Sequence, residues 1–119
     1  MIVSNSCNKK TPSGELIVAN GTLSSTKSPS DGRYNETIGP TTKQVSYNII
    51  VLQTNEYSVE YDCARELGIT NYCVHILSRQ PTLNSTIVDD LLKLAEQYDL
   101  NPAKLDYVMT KQMNCTYPS

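Results

Sequence analysis

The sequence predicts an all-β protein, an antiparallel barrel with one C-terminal α-helix, on three observations. Short apolar stretches of strand character follow one another between turn residues. Only one segment, 85–99, has helical spacing of its apolar residues, and it comes late, after most of the strands. A run of strands with one late helix fits a barrel carrying an attached helix, or an α+β sheet. At 119 residues the chain has room for one domain, 1–119, and so for one principal site.

Each element has its own reason. GELIVAN, 14–20, is a short strand between Gly14 and the hairpin signal Asn20-Gly21. From 24 to 44 the only large apolar residues are Tyr34 and Ile38, set among Pro29, Gly32, Gly39 and Pro40; this predicts mostly loop, with one edge strand near 33–38. The core strands span 46–79. SYNIIVLQT, 46–54, is rich in β-branched residues and apolar on both faces at Ile49 to Leu52. In YSVEYDC, 57–63, Tyr57, Val59, Tyr61 and Cys63 alternate with Ser58, Glu60 and Asp62, which marks one inward face. A loop, 64–71, leads to YCVHILSR, 72–79, apolar on both sides, as a strand must be when something packs outside it.

That something is the helix, whose Val88, Leu91, Leu92, Ala95 and Tyr98 make an apolar stripe suited to docking on the outer face of the sheet. Asn84 or Ser85 can cap it, Asp89 and Asp90 suit its N-terminus, and Asn101-Pro102 closes it. LDYVMTKQM, 105–113, reads as a last strand leading to Cys115.

Charge excludes some functions. A net charge of −2, with Lys9-Lys10 the only close basic pair, offers no electrostatic footprint for nucleic acid or an anionic membrane. No stretch approaches the roughly 18 apolar residues of a membrane-spanning helix. Cys7, Cys63, Cys73 and Cys115 are widely spaced, without a CxxC pair or a histidine at ligand spacing, so no metal site is expected. An even cysteine count beside four sequons, at Asn20, Asn35, Asn84 and Asn114, points to a secreted, N-glycosylated chain. Met1-Ile-Val is too short for the apolar core of a signal peptide, which suggests a mature or truncated form.

No motif supports an enzyme. His75, the single histidine, lies mid-strand without a neighbouring nucleophile motif; packing in a barrel or pocket explains it better than catalysis, with ligand contact as the alternative. Eight tyrosines without Phe or Trp could stack a flat ligand, but core filling accounts for most of them. Adjacent Asp89 and Asp90 point apart on a helix, which suits helix-end electrostatics better than acid/base chemistry.

VLQTNEYSVEYDC, 51–63, followed by ILSRQPTL, 76–83, and by Thr110, Lys111, Gln112 and Cys115, resembles the lipocalins, in particular the branch of apolipoprotein D and the insect bilin-binding proteins. The matching residues are Thr54, Asn55, Tyr57, Cys63, Ile76, Leu77, Ser78 and Arg79, then the closing set, so the likeness covers 49–115. Upstream, 6–13 around Cys7 and GELIVAN resemble the family's second and third strands. The resemblance implies an antiparallel barrel of roughly eight strands around one small apolar ligand, with no cofactor. The chain departs from the family in lacking the first strand with its Gly-x-Trp, and in having no Trp for Arg79 to pack over. The segment 39–46 is too short for a fifth strand with its connections, so the barrel is expected to be incomplete.

Within that frame the inward face of Val51, Tyr57, Val59, Tyr61 and His75, with Leu16 and Val18, is the expected ligand site, for a lipid, retinoid or tetrapyrrole. The resemblance also implies a Cys7–Cys115 disulfide and leaves Cys73 as the substitute partner of Cys63. The competing reading is a secreted interaction protein whose open sheet edges pair with a partner or a second copy.

Overall fold

The structure is a computed structural model describing residues 1–8, 11, 13–39 and 43–115. It is antiparallel β with one C-terminal helix, the fold class read from the sequence. Six strands run β1 (Ile2–Asn8), β2 (Leu16–Ser25), β3 (Arg33–Ile38), β4 (Val45–Gln53), β5 (Tyr57–Glu66) and β6 (Ile69–Ser78), followed by α1 (Ser85–Gln97). Hydrogen-bonded neighbours follow chain order from β1 to β6, as in an up-and-down meander. A closed barrel of the expected type has roughly eight strands. The chain forms two compact units, Met1–Tyr47 with Lys111–Ser119, and Asn48–Thr110.

In the first unit β2 pairs with β1 on one side and β3 on the other. The early boundaries differ from the sequence reading. β1 begins at Ile2, where Ile2 and Val3 supply β-branched residues, and covers only 6–8 of the expected strand 6–13; residues 9, 10 and 12 of that stretch lie outside the described residues. Asn20-Gly21 is no hairpin: β2 runs through it. Gly21 stands there because a Cβ would meet the Thr37 carbonyl oxygen at 2.6 Å, so the close approach of β3 requires glycine. The edge strand near 33–38 is β3, and Leu23 is buried with Glu36 as its cross-strand partner.

In the second unit a tight hairpin replaces the expected loop 64–71. Leu67 (φ 50°) and Gly68 (φ 77°) both take left-handed backbone conformations, the pattern of a two-residue type I′ turn, so β5 and β6 pair without interruption from Tyr57↔Ser78 to Glu66↔Ile69. The β4–β5 turn is closed by Glu56 N–H donating to the Gln53 carbonyl (2.9 Å). Arg79 braces it with two donations, its backbone N–H to the Glu56 carbonyl (2.9 Å) and Nε to the Thr54 carbonyl (3.0 Å). Arg79, which has no tryptophan to pack over, therefore ties strand end to turn.

The helix starts where the sequence says. Asn84 Oδ1 accepts the Thr86 N–H at 2.8 Å. Its first turn carries no acidic residue, since Asp89 and Asp90 fall in the second turn. It ends before Asn101-Pro102: Asp99, at φ 53°, lets its own N–H reach the Glu96 carbonyl (3.0 Å) and that of Leu100 the Ala95 carbonyl (2.9 Å), a Schellman closure. Leu100 thereby folds back into the core with Val59, Leu91 and Ala95.

The expected strand 105–113 is not formed. Asn101 pre-empts it, its Oδ1 accepting the Leu105 N–H (3.0 Å) and its Nδ2 donating to the Leu105 carbonyl (2.8 Å). Both backbone groups that a ladder would use at Leu105 are thus taken. The same Asn101 Oδ1 accepts the Tyr72 hydroxyl at 2.9 Å, which pins the segment to β6.

All four cysteines are unbridged. A Cys63–Cys73 disulfide is ruled out by register: Cys73 stands opposite Asp62 and Cys63 opposite Tyr72, so successive residues send the two thiols to opposite faces of the ribbon. Cys7 is exposed on β1, and the half-buried Cys115 thiol lies 3.8 Å from the Lys111 carbonyl.

Candidate functional site

The β5–β6 register sorts this ribbon into two faces. Tyr57, Val59, Tyr61 and Cys63 share one with Tyr72, Val74, Ile76 and Ser78; Ser58, Glu60, Asp62 and Ala64 share the other with Asn71, Cys73, His75 and Leu77. The helix covers the first. Val59 and Ala95 are fully buried, Leu91 and Leu100 nearly so, and Val51, Tyr57, Tyr61, Val74, Ile76, Leu83 and Ile87 pack around them. Burial of Val59 alone contributes about 1.5 to 3 kcal/mol relative to exposure. Desolvation raises the Tyr61 phenol above its ordinary pKa, with the Cys63 thiol adding to the shift.

This overturns the expected site. Val51, Tyr57, Val59 and Tyr61 line the seat of the helix, not a pocket: Ile87, Leu91 and Ala95 dock on the very face expected to point inward, while of the expected stripe Leu92 lines a cleft at the helix end and Tyr98 is exposed. His75 lies on the opposite face of the same ribbon. Leu16 and Val18 belong to the other unit, two residues apart on a shared face of β2, Leu16 half-buried and Val18 exposed. The alternation holds in the structure; the layer that covers it is a different one. A sheet face with apolar residues at every second position is equally suited to a ligand or to an amphipathic helix, and here the helix takes it.

The uncovered face combines apolar and polar groups. Since Val51 packs toward the helix, its neighbours Ile50 and Leu52 point the other way, and both are exposed, as is Leu77 on β6. Beside them Asp62, Cys73 and His75 converge, their donor atoms all within 4.8 Å of one another. His75 Nε2 lies 3.6 Å from Asp62 Oδ2, with 41% of the histidine side chain and 22% of the aspartate exposed. Burial raises the Cys73 thiol above its ordinary pKa, and the negative charge of the neighbouring Asp62 carboxylate pushes it further the same way. Glu60, directly across from His75, adds a second carboxylate to this face.

Sequence reasoning missed this cluster because Asp62 and Cys73 are joined by register, not by spacing. Reading Leu67-Gly68 as an I′ turn would have found it, since counting outward from that turn pairs 62 with 73 and 60 with 75. A half-open cleft of about 310 Å³ lies elsewhere in the unit, between the end of α1 and the Asn101 loop, lined by Leu92, Glu96, Leu105 and Tyr107 among others.

Of the four sequons, Asn84 is exposed at the helix cap and Asn20 exposed within β2; Asn35 is half-buried in β3, and Asn114 is exposed with φ 58°. No helix among the described residues is long and apolar enough to cross a membrane. No protein-family model and no curated protein matches the chain.

Proposed function

We propose that this protein is a secreted, non-enzymatic, lipocalin-like carrier of a small hydrophobic molecule, such as a lipid, retinoid or tetrapyrrole, held on the sheet face of the second unit that the helix leaves uncovered. The observation that carries the reading is the pair Leu52 and Leu77, 58% and 48% exposed although both lie within strands. An apolar molecule laid over them removes that surface from water, at about 25 cal/mol per Å². The polar groups beside them are suited to orienting a ligand carrying one polar end. The Asn84 sequon, exposed at a helix cap, supports secretion.

Native mass spectrometry of protein from a secretory host tests the reading in one measurement. The expected result is a monomer carrying glycan at Asn84 and a non-covalent small-molecule mass. A ligand-free, unglycosylated monomer would overturn it. A second reading, an interaction module using sheet edges, is favoured by β6: ten residues long, it ends the strand order with β5 as its paired neighbour. A ligand-free dimer in the same experiment would select that reading.

A further inference from the structure

We propose that Asp62, Cys73 and His75 form a binding site for a borderline divalent transition-metal ion, Zn²⁺ being the natural occupant, on the open face of the β5–β6 hairpin. Three donors of different kinds converge there, a carboxylate oxygen, a thiol sulfur and an imidazole nitrogen, all within 4.8 Å of one another. Zinc takes these ligand types at about 2.0 to 2.3 Å in tetrahedral geometry, which places neighbouring donor atoms about 3.3 to 3.7 Å apart. The 3.6 Å between His75 Nε2 and Asp62 Oδ2 already meets that spacing, and the Cys73 thiol lies within 4.8 Å of the other two donors.

The backbone makes the site possible. The unbroken register from the Leu67-Gly68 turn sets Asp62 beside Cys73, and His75 two residues along β6 on the same face. Register also keeps Cys73 available as a thiol, because Cys63, its expected disulfide partner, points to the helix-covered face. Charge matches as well: a thiolate and a carboxylate neutralise a dication, and Glu60 opposite His75 makes the surroundings more negative. Three protein ligands on a partly exposed face leave the fourth tetrahedral position to water, so the ion can enter and exchange. The site does not depend on the carrier reading, since none of its donors is apolar surface.

The test is titration of the reduced, full-length chain with Co²⁺, a spectroscopic stand-in for Zn²⁺, followed by competition with Zn²⁺. One equivalent should produce a thiolate-to-cobalt charge-transfer band and visible tetrahedral bands, both removed by Zn²⁺. Cys73→Ser should abolish the charge-transfer band. His75→Ala and Asp62→Asn should each weaken binding by about tenfold or more, since loss of even an outer partner of a ligand costs about 10- to 100-fold. The double variant Cys7→Ser/Cys115→Ser should bind as the parent does. Far-ultraviolet circular dichroism checks that each variant folds; should Cys73→Ser not fold, unweakened binding in both His75→Ala and Asp62→Asn would refute the site instead. Absence of a cobalt–thiolate band in the parent, or its loss in Cys7→Ser/Cys115→Ser while Cys73→Ser keeps it, would overturn the proposal.

Discussion

The two faces of the β5–β6 hairpin differ in kind although they alternate residue by residue. One carries Tyr57, Val59, Tyr61, Val74 and Ile76 and is sealed by α1; the other, away from the helix, carries buried Ser58, half-buried Glu60, Asp62 and His75, and exposed Cys73 and Leu77. Stability is concentrated on the first, and the groups with recognition chemistry are on the second. Where the helix covers one face of the ribbon, burial consumes the apolar stripe, and the groups that keep some exposure on the other face belong to the mixed stripe a composition-based reading passes over.

The sharpest way to break this comparison is to shorten one residue on each side of it. Leu91→Ala, beneath the helix, should lower stability by about 2 to 5 kcal/mol, read as a shifted urea midpoint of the helical circular dichroism signal. Similar losses from Leu91→Ala and Leu77→Ala would erase the distinction between the faces.

The register that separates the faces has its own weak point. Gly68→Ala should cost about 1 to 2 kcal/mol, because φ 77° is strained for any Cβ-bearing residue while the space around it is open. Gly68→Asn, which tolerates that conformation better, should recover part of the loss in the same denaturation measurement. Equal stability of alanine and glycine here would mean that the turn does not set the register. Loss of the helix cap in Asn84→Ala should cost about 1 kcal/mol in unglycosylated protein, where the removed sequon has no influence. Leu77→Ala should fall within about 0.5 kcal/mol of the parent, as expected of an exposed position.

Much of the fold is legible from local patterns. The β4 and β5 segments show themselves by β-branched content and strict alternation, and the helix by its stripe and by Asn84, because short-range chemistry decides those elements. Errors arise where tertiary contact decides. Gly21 looks like half of a hairpin turn until the closeness of Thr37 explains it, and 105–113 has strand composition until Asn101 takes the backbone groups of Leu105. The expected site fails for the same reason. Tyr57, Val59 and Tyr61 do share one face, but nothing in that stripe says whether a ligand or Leu91 and Ala95 will cover it. His75 stands out in the sequence as the only histidine; its partners Asp62 and Cys73 become visible only with the hairpin register.

The central claim, that an apolar molecule binds the face opposite the helix, is tested most directly by fluorescence titration of all-trans-retinol against three proteins. These are the parent, Leu52→Asp/Leu77→Asp, and Tyr61→Phe, each checked for folding by circular dichroism. The parent and Tyr61→Phe should bind alike and saturably, since Tyr61 sits under the helix, while the double aspartate variant should lose binding because charge has replaced its apolar contacts. Failure of the folded parent to bind, or binding by the double variant equal to that of the parent, would contradict the account.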